Sequence, residues 1–391
     1  MKIDTLQKAV SGTAAAFRSR TRLQPAGGEG DKVFPPTYAG AVYAKEERQL
    51  NGTKVPCVLL DSVQSQANRL EEAIQRALDS GVLKEVPVLN VDFTGLGLLD
   101  EIGRVSSLEA PHRIADAILR DSLHGGQPFR KSELGKSLDQ ASLQNATPLY
   151  RLCPTALIFG LWDSTGPKGG LGAKFQRALV SEIIGVNAQI GVKTSSRIDP
   201  LGMRAAAKVV KKADGSYELA GDKAKDGVSP SEVNHGNIPP DISATGGATV
   251  DYAEQTVVLS LPALRKLRFP VDGKTTQARD EAARTVLAAL ALAAATLAAE
   301  SGFDLRSRCL LWPTEVMKWE LLEKPGQKPV DFTLTADDAI KLLGEAVAAA
   351  EKQGLVWQKE PVKLTPSPNL IALLKRSQDI AAKTPADGAG E

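Results

Sequence analysis

The chain has 391 residues, enough for one large elaborated domain or two ordinary ones. With 48 basic and 46 acidic residues its formal charge is only +2, which excludes a uniform positive coat for DNA but leaves room for a local basic groove. Apolar residues at 42% supply a core, whereas aromatic residues at 5% are too few for base stacking over a sheet face to be the main binding mode.

In chain order, a strand is expected near 15–23, followed by a Gly/Pro-rich loop to about residue 40. A second strand-like run, 55–60, leads straight into a helix over 62–80. The apolar stripe of that helix is Val63, Ala67, Leu70, Ile74 and Ala77. Residues 94–147 read as mainly helical. The apolar run 157–161 reads as a strand that ends in a glycine-rich loop. After the loop, Phe175, Leu179 and Ile183, with Val180 and Ile184, give a helical pattern, and a strand follows at 189–195. From 201 to 247 the chain turns polar, an extended hairpin or loop excursion that is expected to be partly disordered without a partner. A strand at 256–261, the basic run LRKLRF (264–269), an Ala/Leu helix over 278–300 and a strand at 309–312 come next. The tail 383–391 is expected to be disordered. Strands separated by helices imply an α+β fold with helices on one face of the sheet. An RRM-like (ferredoxin-like) βαββαβ core fits, without the strict RNP aromatic motif.

Cys57, Cys153 and Cys309 lie far apart, and His112, His124 and His235 show no paired spacing. Neither a disulfide framework nor a metal site is expected, nor any cofactor, and a reducing compartment fits. MKIDTLQKAV has no apolar signal core. The uncharged run 285–299 is too short and alanine-rich to span a bilayer and reads as a buried helix. The expectation is a cytoplasmic protein without a membrane partner.

The stretch LIFGLWDSTGPKGGLGAKFQR (157–177) carries the most chemistry. Gly160, Gly166, Gly169, Gly170 and Gly172 let backbone N–H groups approach an anion, and Lys168, Lys174 and Arg177 flank them. The stretch matches neither a Walker A loop nor a dinucleotide fingerprint. A glycine-rich connection that only turns the chain is the plain alternative. Lys174, Arg177 and Ser181 recur at i, i+3 and i+7, one polar face of the expected helix. Between residues 160 and 212 nine Lys/Arg stand against three acids, so the small excess charge is concentrated here.

Three further features fit a polyanion. LDSVQSQANRLEE (60–72) sets Gln64 four residues before Asn68 and Ser65 four before Arg69, a polar strip suited to phosphates, riboses and base edges, or simply a solvated face. Arg18, Arg20 and Arg22 alternate along a strand and project from one side, toward a polyanion or toward solvent. SPSEVNHGNIPP (229–240) holds His235 and Asn237 in a segment shaped for docking on nucleic acid or a neighbouring subunit. His235 has no nucleophile or carboxylate partner nearby for acid–base work. Asp61 and Asp163 are isolated, each followed by serine, and read as caps rather than ligands of catalytic metal ions.

Five motifs in order, LDSVQSQANRLEE, GRVSSLEAPHRIADAILRD (103–121), LIFGLWDSTGPKGGLGAKFQRALVSEIIGV (157–186), KTSSRIDPLGM (193–203) and PSEVNHGNIPP (230–240), resemble the RAMP-superfamily backbone subunit of type I CRISPR effector complexes (Cascade). The closest branch is type I-G, formerly I-U. The resemblance runs from about Arg18 to Trp312. It implies one RRM-like palm domain over 1–391, helical fingers at 93–150 and a thumb hairpin at 200–250. It implies no catalysis, polymerisation of identical copies along a CRISPR guide RNA, and target DNA reached through the guide. Other Cascade subunits and, indirectly, a helicase–nuclease are the remaining implied partners. The RNA-binding residues expected are Arg18, Arg20, Arg22, Gln64, Ser65, Asn68, Arg69, Ser164, Thr165, Lys168, Lys174, Arg177, Arg197, His235 and Asn237. Two alternatives stay open: a type III-like metal-dependent ribonuclease using Asp163, and a phosphate- or nucleotide-binding metabolic enzyme using the glycine turn.

Overall fold

β1 (Ala16–Pro25) divides the molecule into two sides. Phe17, Ser19, Thr21 and Leu23 are buried, while Arg18, Arg20 and Arg22 project from the opposite face, the two-residue period of a strand covered on one side. The computed structural model describes residues 1–166, 173–212, 215–221, 227–242 and 245–383. In it β1 lies inside a nine-stranded antiparallel sheet with β2 (Lys45–Leu50), β3 (Thr53–Asp61), β4 (Leu179–Val186), β5 (Tyr252–Ser260), β6 (Leu310–Pro313) and β7 (Trp319–Leu322). The spatial order is Phe303–Asp304, β6, β1, β5, β4, β3, β2. β6 and β7 pair with the second and first halves of β1, and Val330–Phe332 pairs with β7.

Helices cover the face that carries Phe17, Val257 and Leu259. α1 (Ile3–Ser11), α2 (Val63–Asp79) and α4 (Ala336–Glu351) all pack on α3 (Gln277–Glu300). α3 is buried from Ala282 to Thr296 without a polar stripe, so neighbours must surround it. It is long and apolar enough to cross a membrane by length and composition, but 83% of its apolar window is buried inside the fold, as in a core helix. The strand at 15–23, the strand at 55–60 and the helices at 62–80 and 278–300 are thus found close to where the sequence puts them.

Other expectations fail for identifiable reasons. The stretch after the glycine loop is strand, not helix: Lys174–Phe175 pairs with Leu161–Trp162, and β4 runs between β5 and β3. Phe175, Leu179 and Ile183 are spaced by four, which satisfies a strand's period of two as well as a helical face. The run expected as a strand at 157–161 is mostly helix (Thr155–Phe159). Gly160 ends that helix at φ +89, where a Cβ would also meet the Arg177 side chain at 3.0 Å. Residues 94–147 hold only short helices such as Glu133–Asp139, separated by Gly103, Pro111, Gly125, Gly126 and Pro128. Part of that region joins a second, five-stranded sheet. There Val362–Pro366 runs parallel to Leu89–Asp92 and antiparallel to Ser122–His124.

The polar excursion is an arm that prolongs the β4–β5 hairpin. Gln189–Val192 pairs with Thr245–Thr249, Ser195–Arg197 with Ile238–Asp241, and Val209–Lys211 with Tyr217–Leu219. Paired backbone therefore begins at 189 and ends at 249. The tail beyond residue 383 lies outside the described residues.

A buried carboxylate ties these layers together. Asp61, at the end of β3, has no exposed surface. It accepts from Ser65 Oγ (2.8 Å), Gln66 Nε2 (2.6 Å), Arg69 Nε (3.0 Å) and Arg306 Nη2 (3.1 Å). Gln66 in turn accepts from Ser181 of β4 (2.6 Å) and Gln255 of β5 (2.9 Å). A buried carboxylate is tolerable only with such a complement of donors. Removing it strands four donors at once, so Asp61→Ala is expected to lower unfolding stability by about 3 kcal/mol. Urea denaturation followed by circular dichroism measures this, and a loss under about 1 kcal/mol contradicts the role.

Candidate nucleic-acid interface

A groove of about 930 Å³ opens between the start of α2, the segment 111–120 and the hairpin of Leu161–Trp162 with Lys174–Phe175. The Ser62 hydroxyl caps α2 by accepting from the Ser65 N–H. This fixes the first turns so that Gln64 and Asn68 line the groove, exposed, with Val63 and Ala67. Across from them stand Ser164, Thr165, Lys174, Gln176 and Arg177.

A buried ion pair holds the 111–120 wall against α2. Arg113 donates to both Glu71 oxygens (2.7 and 2.6 Å) and to the Gly160 carbonyl (3.2 Å). Burial pushes the Glu71 carboxyl up to about 7, against the pull of the Arg113 guanidinium. Arg120 is paired with Asp121 and donates to Thr165 Oγ1 at 3.2 Å. Asp163 is buried and ion-paired with Arg130. Lys174 Nζ lies 5.5 Å from the Trp162 ring centre, and Arg177 is exposed. Among the described residues no carboxylate pairs with either cation. The groove therefore carries net positive charge beside two free amides, a donor set suited to phosphate and ribose oxygens.

Six of the expected site residues meet here: Gln64, Asn68, Ser164, Thr165, Lys174 and Arg177. Lys168 lies outside the described residues. Ser65 and Arg69 turn to the other flank of α2, where Asp61 takes their hydrogen bonds; Arg69 also donates to the Asp304 and Leu305 carbonyls. The polar strip 64–69 thus splits, and only half of it faces the groove. Ser181, expected beside Lys174 and Arg177, is buried on the opposite side of its strand and donates to Gln66.

Arg18, Arg20 and Arg22 share one exposed face as expected, but that face supplies their partners. Arg18 pairs with Glu320 (2.6 Å), Arg20 with both oxygens of Glu254, and Arg22 stacks over Tyr252 at 3.9 Å. Arg197, His235 and Asn237 belong to the arm and line no part of the groove. Arg197 donates to the Asn234 carbonyl, His235 meets the Tyr217 hydroxyl at 3.2 Å, and Asn237 accepts from the Asp199 N–H at 2.7 Å. Burial disfavours the charge of Asp199, but N–H donors from Leu201, Met203 and Gly236 outweigh it and hold its carboxyl below the usual range. The sequence reading missed His112, Arg120, Trp162 and Gln176 as groove residues. His112 and Arg120 fall inside the motif 103–121, which was a usable signal; Trp162 and Gln176 had none apart from their place in the glycine stretch.

Residues 17–190 match the family model of CRISPR-associated protein GSU0053. That span includes β1, α2 and every described wall of the groove. Those residues, somewhat less than half of the chain, are similar to that CRISPR-associated family. The similarity is in keeping with the type I-U resemblance of the chain's motifs. No curated protein matches the chain. Among solved structures, the crystal structure of Thermofilum pendens Csc2 aligns over 89% of this chain and 77% of that one, at 12% identity and a TM-score of 0.28. A likeness of that order adds nothing to the family match.

The Glu71–Arg113 pair gives a pH signature. The folded carboxyl titrates above the ordinary value, so the native state holds this proton more tightly than the unfolded chain. The resulting stabilisation is complete below the unfolded value and is lost as pH rises through about 7. Subtracting the stability profile of Glu71→Gln from that of the wild type is expected to leave a component that falls by about 2 kcal/mol between about pH 5 and about pH 8. A flat or rising difference contradicts this assignment.

Proposed function

We propose that the chain is the CRISPR RNA-binding backbone subunit of a type I Cascade effector, and that the groove between α2 and the paired segments Leu161–Trp162 and Lys174–Phe175 takes the guide's sugar–phosphate chain. The observation that carries this reading is the meeting of Lys174 and Arg177, two cations without a carboxylate partner among the described residues, with the amides of Gln64 and Asn68 in one open groove. Charge and amides without a base-reading code suit a subunit whose target sequence is read by guide pairing. Ser164, Thr165 and Arg120 extend the same surface. The arginines of β1 rank second, because their own sheet already balances Arg18 and Arg20.

In this reading the main sheet is an RRM-like palm. β1, α2, β4, β5, α3 and β6 follow one another as strand, helix, strand, strand, helix, strand, and the spatial order β6–β1–β5–β4 is the order such a core adopts. The β2–β3 hairpin and the arm are insertions into it. Residues 93–150 correspond to the fingers and the arm to a thumb that covers the guide held by a neighbouring copy. Copies polymerise along the guide, which presents itself to target DNA, while strand cutting falls to a separate helicase–nuclease. A ribonuclease reading centred on Asp163 is disfavoured because that carboxylate is buried and already ion-paired with Arg130.

Lys174→Ala combined with Arg177→Ala is expected to weaken single-stranded RNA binding at least tenfold and to reduce the dependence of log affinity on log salt by about two phosphate contacts. Both side chains are exposed, so the melting temperature is expected to stay within a few degrees of wild type. Filter binding over a salt series checks this. Unchanged affinity removes the groove from the account.

Replacing residues 196–240 by a short Gly/Ser turn keeps the pairing nearest the sheet, between 189–192 and 245–249. The variant is expected to fold and bind RNA but to fail to form an ordered multi-copy particle on guide RNA. Size-exclusion chromatography with light scattering reads the outcome, and normal assembly contradicts the thumb assignment.

A further inference from the structure

Two of the four tryptophans, Trp162 and Trp312, are exposed. Trp319 and Trp357 are buried in the core, as this residue type usually is. Trp162 keeps 60% of its surface exposed, although it lines a concave groove and has the Lys174 ammonium 5.5 Å from its ring centre. The pairing of Leu161–Trp162 with Lys174–Phe175 sets Trp162 directly opposite Lys174, so the indole and the cation are held side by side. Phe175, the next residue, is buried and anchors the hairpin. The groove thus presents a planar apolar surface flanked by Lys174 and Arg177 and faced by the amides of Gln64 and Asn68. A ligand that satisfies all of these is planar, bears a negative charge nearby and offers hydrogen-bonding edges.

We propose that Trp162 is a stacking platform for one unpaired nucleobase of the bound RNA strand, with Lys174 and Arg177 holding the adjoining phosphate. The assignment rests on the guide-binding reading of the groove and adds to it a base contact indifferent to sequence, since every base has a stacking face. It fits the small number of aromatic residues, because one indole per copy is enough for one base per copy. Trp312 is the built-in contrast. It is 65% exposed, but its surroundings are Pro313, Val316 and Met317 with Glu300 and Glu315, which offer an RNA strand no cation. A protein aromatic or proline ring docking on Trp162 would suit the indole but leave the two cations and the amides unused.

The test uses the full chain and a single-stranded RNA of mixed sequence, compared with the same strand carrying consecutive stable abasic residues. Trp162→Ala is expected to lower affinity for the normal strand about 5- to 100-fold, with Trp162→Tyr recovering most of it. Wild-type protein is expected to lose a similar factor on the abasic strand, while Trp162→Ala hardly distinguishes the two strands. The salt dependence is expected to stay at its wild-type slope, because no phosphate contact is removed. Trp312→Ala is expected to bind both strands like wild type. In a Trp312→Phe background, RNA is expected to quench the fluorescence of the exposed indole. Equal affinity of wild type and Trp162→Ala for the normal strand, or equal affinity of wild type for the two strands, overturns the stacking role and leaves the phosphate groove standing. Absence of RNA binding by the wild type overturns both.

Discussion

The buried carboxylate of Asp61 is the constraint on which the arrangement depends. One charged group with no exposed surface receives hydrogen bonds from α2 and from the loop that follows α3, and through Gln66 it is linked to β4 and β5. Hydrophobic burial alone would let α2 slide or rotate on the sheet, because apolar contacts are not directional. Hydrogen bonds to a buried charge are directional, and leaving any donor or acceptor unmade is costly. Asp61 therefore sets the rotation of α2, and that rotation decides that Gln64 and Asn68 face the groove while Ser65 and Arg69 do not. The Glu71–Arg113 pair, whose carboxylate lies on the same helix, seats the 111–120 wall by the same means.

Charge is distributed unevenly between two surfaces. The open face of the sheet pairs Arg18 with Glu320, Arg20 with Glu254 and Arg48 with Glu46 and Glu182, so it is nearly neutral at short range. In the groove, no carboxylate among the described residues pairs with Lys174 or Arg177. A chain of almost zero net charge can thus attract a polyanion at one place and present balanced surfaces elsewhere. For a protein proposed to stack in many copies, that limits repulsion between neighbours. The partners of the β1 arginines lie on strands more than two hundred residues away, so their pairing leaves no local trace in the sequence.

Much of the fold was legible because several elements carry an unambiguous period. β1 alternates strictly, α2 shows a clean stripe, and α3 is too long and too uniformly apolar to be a strand. The stretch 175–184 was illegible because a spacing of four fits both kinds of element. The second sheet was illegible because its strands are two to five residues long and its central one comes from the far end of the chain. The groove was half legible. Lys174 and Arg177 were identified beside the glycine loop, although on an element of the wrong type. Gln64 and Asn68 were identified with two neighbours that a buried aspartate had already engaged, and Asp61 itself read as a cap. The Arg113 pair, which closes the site, joins residues 42 positions apart and leaves no local trace.

In the proposed arrangement the guide backbone lies between α2 and the paired segments Leu161–Trp162 and Lys174–Phe175. Photo-crosslinking of the assembled complex with guide RNA carrying 4-thiouridine, followed by mass spectrometry of the crosslinked peptides, locates the strand without any mutation. The account predicts crosslinks in peptides covering residues 62–69, 111–120 and 160–177. Crosslinks confined to β1 and β5, on the face of Arg20 and Tyr252, would contradict it.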